Sequence, residues 1–387
     1  MTGGNHSHGR TLAPVPKLTA VVLPGGEDFV AALRAAWDAG DAIAPVDPRL
    51  PPPARSAALD ALRPHGVIDA AGYRPRPGGQ DTEPGDALVV ATSGTTGTPR
   101  GVVLTHDAVV ASARATSAAL EVVAESDTWL CCLPVAHVGG LSIVTRALVT
   151  GTPLLVQPGF DAAAVAGAAP RATLTSLVPT TLARLGRGAA SFRRILLGGS
   201  PPPSEVPPNV VTTYGLTETG GGLVYDGRPL HHVELRLDPG GQVLLRGPML
   251  LRCYRDGTDP RTGDGWLPTG DAGRIDADGR LQVVGRIGEV IITGGENVWP
   301  AAVERALLLH PAVAEVAVAG VADPEWGQRV VAYVVAQPPT PPPSLTELRA
   351  WVKERMPAWA APRQLVVVAN LPRTALGKVR RNDLPFD

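Results

Sequence analysis

The sequence predicts a large N-terminal domain of layered α/β sheets with a small β-subdomain, followed by a small α+β C-terminal domain. Three observations support this prediction. From residue 87 to about 224, apolar runs with strand character alternate with helical segments. From about 228 to 284, short strands are separated by turns rich in Gly and Asp. After residue 286, two helices and two apolar strands fill a unit of about 100 residues, which is a typical domain size.

The elements before residue 87 begin the α/β pattern. The segment EDFVAALRAAWDA (27–39) has helical periodicity, and AIAPVDPRL (42–50) predicts a strand that leads into a turn. Three prolines open PPPARSAALDALRPH (51–65), and proline is favoured in the first turn of a helix. The alternating strand and helix segments that follow are ALVVATS, GVVLTH, DAVVASARATSAAL, TWLCCLP, GLSIVTRALVTG, TPLLVQP, TLTSLVP, TTLARLG, RRILLGGS and NVVTTYG.

Past residue 228 the pattern changes twice. The strand segments of the β-subdomain are HHVELRLD, GQVLLRGPML, GWLPTGDAGRID and RLQVVGR. In the C-terminal unit, PAAVERALLLH predicts a helix, VAEVAVAGV and VVAYVVA predict strands, and LTELRAWVKERM predicts a second helix. Ser344 and Glu347 form a capping-box signature at the start of that second helix.

The composition argues against several classes of protein. Hydrophobic residues make up 44% of the chain, so a large core can form, and the net charge of −1 argues against a nucleic-acid partner. No apolar run is long enough for an integral membrane segment, and the start, MTGGNHSHGR, lacks the apolar core of a signal peptide. Three cysteines (Cys131, Cys132 and Cys253) at no metal-ligand spacing favour reduced thiols and a cytoplasmic location.

A Gly/Thr-rich loop between two apolar runs is the first candidate binding site. It is not a Walker A motif, since it lacks the Gly-x4-Gly-Lys-Ser/Thr pattern and a strand follows it. We expect a hairpin with a wide tip, where glycines let backbone N–H groups approach a phosphate and Arg100 binds its oxygens. An ordinary hairpin turn is the alternative. The candidate residues are Thr92, Ser93, Gly94, Thr95, Thr96, Gly97 and Arg100.

This loop resembles a known signature. The stretch TSGTTGTPRGVVLTH (92–106) resembles the phosphate loop of the adenylate-forming superfamily, which comprises acyl-CoA synthetases, luciferases and peptide-synthetase adenylation domains. The superfamily usually has Lys at the position of Arg100, so the positive charge is kept. Further stretches resemble superfamily elements in the same order along the chain. They are GGS (198–200), TYGLTET (213–219), GWLPTGDAG (265–273), GRIGEVIITGGENVWPAAVE (285–304) and PRTALGKVRR (372–381).

The resemblance implies a nucleotide site. Tyr214 would lie against adenine, and Thr217 would touch the α-phosphate. Asp271 would accept hydrogen bonds from both ribose hydroxyls, and Arg286 would contact ribose or phosphate. The loop on the adenine side would consist of Gly198, Gly199 and Ser200.

The resemblance also implies the groups that stabilise charge during the reaction. Glu218 would hold Mg2+, and a carboxylate is a hard ligand suited to an ion that bridges phosphates. Lys378 would be the catalytic lysine. Taken alone, Glu218 also fits an exposed residue at a strand end, Lys378 fits a solvated side chain, and the Thr-Gly-Asp around Asp271 is a common turn.

Members of this superfamily activate a carboxylate with ATP to an acyl-adenylate, and a nucleophile then displaces AMP. The nucleophile implied here is coenzyme A. The small C-terminal domain would be mobile and rotate about a hinge near Gly288, which equally fits a simple turn, so that the loop at Gly294 and Gly295 lines a tunnel for the thiol. The expected domains are 1–285 and 286–387, and the resemblance is weak before residue 85, so the N-terminal part looks truncated.

One stretch indicates the acid. His137 matches a superfamily histidine at the acid pocket, and HVGGLSIVTRAL (137–148) resembles the branch of acid–CoA ligases that acts on o-succinylbenzoate in menaquinone synthesis. That acid has two carboxylates, and Arg146 would bind the one that does not react. Ser176 and Thr180 would face the same acid. A core histidine and a helix-surface arginine are the alternatives for His137 and Arg146.

Two other functions remain open at this point. The chain fits another aryl- or short-chain acyl-CoA ligase, in which Arg146 points elsewhere. It also fits a non-catalytic nucleotide-binding relative, although Glu218, Asp271 and Lys378 together argue against that. The expected partners are the small-molecule acid, ATP and CoA, and a homodimer is open because relatives are often dimers.

Overall fold

The computed structural model describes residues 15–92, 99–203, 205–373 and 379–385 of the chain. Within these ranges the α helices are α1 (Glu27–Asp38), α2 (Pro52–Leu62), α3 (His106–Ala119), α4 (Val138–Thr150), α5 (Ala162–Ala168), α6 (Pro179–Leu185), α7 (Pro300–Leu308) and α8 (Leu345–Lys353). None of the helices in these ranges is both long and apolar enough to cross a membrane.

The strands that precede the expected β-subdomain come first. They are β1 (Leu18–Val21), β2 (Ala42–Pro45), β3 (Gly66–Asp69), β4 (Gly72–Pro75), β5 (Asp86–Thr92), β6 (Arg100–Thr105), β7 (Trp129–Cys131), β8 (Leu154–Val156), β9 (Leu174–Leu177), β10 (Arg194–Leu197), β11 (Val210–Leu216) and β12 (Gly221–Tyr225).

The remaining strands follow in chain order. They are β13 (Arg228–Pro229), β14 (Glu234–Leu237), β15 (Gln242–Arg246), β16 (Cys253–Tyr254), β17 (Leu267–Ile275), β18 (Leu281–Arg286), β19 (Ile291–Thr293), β20 (Glu296–Val298), β21 (Val313–Asp323), β22 (Gly327–Ala336) and β23 (Gln364–Val367).

Two seven-stranded sheets build the N-terminal domain. The first has the order β16-β6-β5-β2-β1-β3-β4, and the second has the order β13-β12-β11-β10-β9-β7-β8. The strands β7 to β11 of the second sheet are parallel, as expected where helices alternate with strands. One large apolar core joins both sheets to helices α3 and α4, and its members include Phe29, Trp129 and Leu141. The predicted α/β layering is therefore confirmed.

The expected β-subdomain supplies strands to three sheets. Its own sheet is antiparallel, with the order β14-β15-β17-β18. However, β13 completes the edge of the second sheet by pairing with β12, and β16 pairs with β6 of the first sheet. These two-residue strands are too short to show a period of two in the sequence, so only long-range pairing reveals them.

The C-terminal domain is α+β, as predicted. Its sheet has the order β20-β19-β22-β21, with β23 added in parallel to β22. Helices α7 and α8 pack on a separate apolar core that includes Val303 and Leu348. The capping box of α8 is confirmed, because Glu347 N donates to Ser344 Oγ at 3.2 Å and Ser344 N donates to Glu347 Oε2 at 2.7 Å.

A buried ion pair fastens the β16 segment to the first sheet. Asp86 at the start of β5 has a fully buried side chain, and Arg252 donates to both of its oxygens, at 2.9 Å from Nε and from Nη2. The two residues lie 166 positions apart in the chain. The pair therefore holds β16, and the residues beside it, in a fixed place against β6.

Replacing Arg252 with Met should lower the free energy of unfolding by about 3 kcal/mol, because the buried Asp86 carboxylate loses its ion-pair partner and, among the described residues, keeps only the hydrogen bond from Glu83 N. The matched control is Arg74→Met, which removes an arginine paired with Asp69 on the surface and should cost less than about 1 kcal/mol. Chemical denaturation of both variants measures the difference. Equal losses in the two variants would contradict the role assigned to Arg252.

Candidate active site

The end of β11 presents the residues of the TYGLTET stretch. A register shift between Tyr214 and Gly215 bends the strand against β12, and a Cβ atom on Gly215 would lie 2.0 Å from the carbonyl oxygen of Gly221. Thr219 is buried and its hydroxyl accepts from Leu216 N at 2.8 Å, which closes a short 3-10 turn over Thr217–Thr219. The close packing therefore requires glycine and fixes the direction of Thr217 and Glu218.

Three of the expected nucleotide residues form one cluster. The hydroxyl of Tyr214 donates to Asp271 Oδ2 at 2.7 Å, and Arg286 Nε lies 3.0 Å from Asp271 Oδ1. Arg286 also donates from Nη1 to the carbonyl of Thr269 at 2.9 Å. Burial, with the neighbouring carboxylate, raises the pKa of the Tyr214 phenol, so it stays protonated and donates. Tyr214 and Arg286, from two other stretches of the sequence, thus hold the buried carboxylate of Asp271.

The loop on the adenine side lies beside this cluster. Gly198 follows β10, and a Cβ atom on it would lie 2.5 Å from Thr213 Oγ1. Thr213 is the residue before Tyr214. Gly199 has φ +84°, a conformation that favours glycine, and Ser200 is exposed. The structure therefore places Gly198, Gly199 and Ser200 next to the strand that carries Tyr214.

The hairpin expected from the Gly/Thr-rich stretch is confirmed in its two strands. β5 and β6 are antiparallel, with Thr92 opposite Arg100, and Thr92 Oγ1 donates to the carbonyl of Arg100 at 3.3 Å. The tip falls outside the described residues, and with it lie Ser93, Gly94, Thr95, Thr96 and Gly97.

Arg100 and Glu218 meet on a residue that the sequence did not single out. Tyr254 donates from its hydroxyl to Glu218 Oε1 at 2.9 Å, and the Arg100 guanidinium carbon lies 3.7 Å from the centre of its ring. Arg100 also pairs with Asp256 at 3.1 Å. Only the pairing of β16 with β6 brings Tyr254 to this position. A strand of two residues leaves no periodic pattern in the sequence, so the sequence carries no signal for it.

A single carboxylate in this position suits magnesium. In the described part of the chain, no three His, Cys, Asp or Glu side chains converge on a metal position. Mg2+ bound with nucleotide phosphates keeps several waters and needs only one or two protein carboxylates. Glu218, half-buried at the end of β11, therefore fits such an ion.

His137 precedes helix α4. Its Nε2 atom is buried and has no hydrogen-bond partner among the described residues. Burial lowers the pKa of the imidazole, while the carboxylate of Asp47 acts in the opposite direction. Gly140 lets the helix start close to the preceding loop, because a Cβ atom there would lie 2.5 Å from the carbonyls of Leu133 and Pro134. The ring is therefore held neutral with one nitrogen available.

Arg146 is buried inside the domain, so the alternative of a helix-surface arginine is wrong. The residue is only 3% exposed, and its guanidinium carbon lies 4.7 Å from the ring centre of Trp129. Its Nε and Nη1 atoms are buried and meet no acceptor in the ranges that the structure describes. Burial lowers the pKa of Arg146, yet an arginine remains charged. A buried cation with unused donors is costly unless an anion joins it.

The guanidinium borders a small cavity, about 10 Å³ in volume, between α3, α4 and the residue after the Thr217–Thr219 turn. This volume holds about one water molecule, so an acid enters only when the lining moves apart. The lining of the cavity is Leu88, Leu104, Ala108, Val109, Ser112, Ala113, Val138, Leu141, Ser142, Thr145, Arg146, Gly220 and Met249. Ser142 stands four residues before Arg146 on α4, a spacing that places both on one helix face and could have identified it. Ser176 is buried on β9 and Thr180 is exposed on α6, and neither lines this cavity.

The C-terminal candidates are only partly described. Gly294 and Gly295 form the turn between β19 and β20 with φ values of +59° and +83°, and Gly288 lies in a 3-10 turn directly after β18. Lys378 lies outside the described residues. On its C-terminal side, Arg381 pairs with Glu289 and Glu304, each at 2.7 Å.

Comparison with known families identifies the class of protein to which this fold belongs. Residues 71–298 match the family described as AMP-binding enzyme, and residues 302–378 match the AMP-binding enzyme C-terminal domain. The chain belongs to the AMP-binding enzyme family.

Individual relatives carry more specific names than the family does. A probable 2-succinylbenzoate–CoA ligase of Mycobacterium tuberculosis is 41% identical over 327 residues, which cover 78% of this chain and 85% of that protein. An o-succinylbenzoate CoA synthetase of Bacillus subtilis, solved with its acyl-adenylate intermediate, is 29% identical with a TM-score of 0.83, covering 95% of this chain and 87% of the other. The same synthetase with ATP and magnesium ion gives the same identity and TM-score, with 95% and 89% covered.

Replacing Gly215 with Ala should lower the free energy of unfolding by about 3 kcal/mol, since the new methyl group collides with the backbone of Gly221. ATP binding should weaken as well, because the collision displaces Tyr214 and Glu218. In the control Gly159→Ala no described atom lies within 4 Å of the added Cβ. Thermal unfolding with and without ATP measures both effects, and a Gly215→Ala protein as stable as the control would refute the packing argument.

Proposed function

We propose that this chain is an ATP-dependent, AMP-forming acid–CoA ligase whose acid is 2-succinylbenzoate, acting in menaquinone biosynthesis. The observation that carries the choice of acid is the buried guanidinium of Arg146, which borders a cavity that reaches Gly220 beside the Thr217–Thr219 turn. The proposed reaction rests on membership of the AMP-binding enzyme family and on relatives named for this ligation.

The nucleotide occupies the cluster around Asp271. Tyr214 lies against adenine, Asp271 accepts from the ribose hydroxyls, and Arg286 holds that carboxylate in place while it contacts ribose or phosphate. Gly198, Gly199 and Ser200 border the adenine. Since Tyr214 and Arg286 already fix both oxygens of Asp271 in the described structure, the ribose site needs little rearrangement when ATP binds.

Catalysis then depends on charge stabilisation. A carboxylate oxygen of the acid attacks the α-phosphorus of ATP, the bond to pyrophosphate breaks, and negative charge builds on the phosphate oxygens. Arg100 and the loop residues Ser93–Gly97 bind the departing phosphates, Thr217 contacts the α-phosphate, and Glu218 binds the magnesium ion. When bound, Mg2+ neutralises charge on the phosphates. Lys378 donates to the reacting groups in this first step.

The acid binds between His137 and Arg146. His137, with its unpaired and neutral Nε2, contacts the end of the acid that reacts. Ser176 and Thr180 face the acid outside the cavity beside Arg146. Arg146 binds the second carboxylate, which accepts from a guanidinium nitrogen that is otherwise unpaired. Benzoate, acetate and fatty acids offer only one carboxylate and leave this guanidinium buried without a partner.

The thiol of CoA attacks the acyl carbonyl in the second step, the bond to AMP breaks, and the thiol proton is released. We place the domain boundary between residues 285 and 286 and the hinge at Gly288, so that the turn at Gly294 and Gly295 lines the thiol path after the C-terminal domain rotates. We place the reaction in the cytoplasm. The three cysteines support this location, since all of them are free thiols in the structure.

The acid preference tests this proposal. We expect kcat/KM for 2-succinylbenzoate to exceed that for benzoylpropionate and for ortho-butyrylbenzoate by at least about 100-fold, because each analogue lacks one of the two carboxylates. In Arg146→Met, the ratio of kcat/KM for 2-succinylbenzoate to kcat/KM for the analogue that keeps the reacting carboxylate should fall below about tenfold. The KM for ATP should change less than about twofold. Acyl-CoA formation, measured by mass spectrometry, and pyrophosphate release give these values.

The control is Arg114→Met, which removes an exposed arginine from the neighbouring helix α3 and should leave the preference unchanged. Benzoate, acetate and octanoate complete the panel. Equal rates with all acids would contradict the proposed substrate, and an Arg146→Met variant that loses all acids equally would remove Arg146 from the acid site.

A further inference from the structure

Tyr254 connects two groups to which the proposed function gives separate roles. Its hydroxyl donates to Glu218 Oε1 at 2.9 Å, and the face of its ring carries the Arg100 guanidinium at 3.7 Å. None of the sequence stretches that define the site contains Tyr254. One side chain thus contacts both the expected magnesium ligand and the expected phosphate cation.

The surrounding structure holds Tyr254 firmly. Its backbone pairs with Val102 in the first sheet, two residues after Arg100. The next residue, Arg255, is buried and donates to the carbonyls of Leu62 at 3.1 Å and Asp81 at 2.8 Å. Because these contacts fix the backbone of Tyr254, its side chain can hold neighbouring side chains in place.

The same segment also holds the backbone of Glu218. Leu251 N donates to the carbonyl of Glu218 at 2.8 Å, three residues before Tyr254 donates to the side chain. The hydroxyl contacts Oε1, which leaves Oε2 as the oxygen that can turn towards a cation. A tyrosine hydroxyl is protonated at neutral pH, so it donates this hydrogen bond.

Arg100 suits this arrangement better than a lysine would. A planar guanidinium stacks on an aromatic ring and can pair with a carboxylate at the same time, as Arg100 does with Asp256 at 3.1 Å. A lysine ammonium is a compact charge that does not stack in this way. The planar guanidinium of Arg100 is therefore matched to the ring of Tyr254.

We propose that Tyr254 is a positioning residue, which orients Glu218 for magnesium through its hydroxyl and aims Arg100 at the phosphates through its ring. The inference rests on the proposed function, because that function gives Glu218 its metal and Arg100 its phosphates. It adds that one side chain, Tyr254, positions the Glu218 carboxylate and the Arg100 guanidinium relative to each other.

The test separates the hydroxyl from the ring in a binding measurement that needs neither acid nor CoA. Isothermal titration calorimetry gives the affinity for ATP with Mg2+ and for ATP with EDTA. We expect Tyr254→Phe to raise the Mg2+ concentration that half-saturates ATP binding about tenfold, because groups that orient a metal ligand have effects of this size. Its affinity for ATP in EDTA should stay within about twofold of the wild type.

The larger change Tyr254→Leu removes the ring as well. It should weaken ATP binding in EDTA by a further factor of about three, since Arg100 loses the face on which it stacks. Tyr73→Phe, which removes the hydroxyl of an exposed tyrosine on β4, is the matched control and should change neither affinity. If Tyr254→Leu does not fold, Tyr254→Phe decides the role of the hydroxyl. Arg100→Lys, which keeps the charge but does not stack in the same way, then decides the role of the ring by a similar loss of ATP affinity in EDTA, and an unchanged affinity would refute that role.

A double-variant cycle shows whether the effect passes through Glu218. In a Glu218→Gln background, Tyr254→Phe should cause no further loss of Mg2+ dependence. An unchanged Mg2+ requirement in Tyr254→Phe, or a loss of equal size in both backgrounds, would overturn the inference while leaving the ligase proposal intact. A wild-type protein that binds ATP equally well with and without Mg2+ would overturn the inference and also count against the proposed role of Glu218.

Discussion

The interactions of the Asp271 carboxylate with Tyr214 and Arg286 are the ones on which the site depends. The carboxylate is almost fully buried, and a buried charge is tolerated only with partners. Those partners are the Tyr214 hydroxyl at the end of β11 and the Arg286 guanidinium at the end of β18. The chain enters the turn that leads to the C-terminal domain directly after Arg286. One ionic cluster therefore fixes the end of β11 and the start of the link between the two domains.

Arg100 and Arg146 differ in how the protein balances their charges. Arg100 is part-exposed, stacked on Tyr254 and paired with Asp256, so its charge is compensated before any ligand binds. Arg146 is buried against Trp129, and two of its nitrogens find no acceptor within the described ranges. Nearly all buried polar groups in folded proteins have partners. The protein itself therefore balances the charge of Arg100, whereas Arg146 keeps buried donors that only a further acceptor would satisfy.

Much of the fold follows from local sequence signals. The alternation of apolar runs and helical segments predicts the two large sheets, and the Ser344–Glu347 spacing predicts the start of α8, because these signals act over a few residues. The phosphate-loop hairpin is predicted correctly in β5 and β6. The pairing of β16 with β6 is not predictable in this way, since it depends on Arg252 reaching Asp86 across 166 residues.

The site shows the same difference between local sequence signals and long-range contacts. The resemblance names Tyr214, Asp271 and Arg286 separately, but only the opposition of Asp271 and Arg286 in the pairing of β17 with β18 shows that they share one ion pair. Tyr254 carries no motif of its own, and its position comes from the edge of a different sheet. The burial of Arg146 is likewise a tertiary property, because an arginine on a helix is usually found on the surface.

Recognition of ribose by Asp271 tests the account most directly. The measurement is acid-dependent exchange of pyrophosphate into ATP, with ATP compared with its two deoxy-ribose analogues in the wild type and in Asp271→Asn. A carboxylate that accepts from both hydroxyls predicts a loss of about tenfold or more in kcat/KM for each analogue. In Asp271→Asn, ATP should lose activity and the difference between ATP and the analogues should shrink. Wild-type exchange that is equally fast with all three nucleotides would contradict the assignment of this cluster as the nucleotide site.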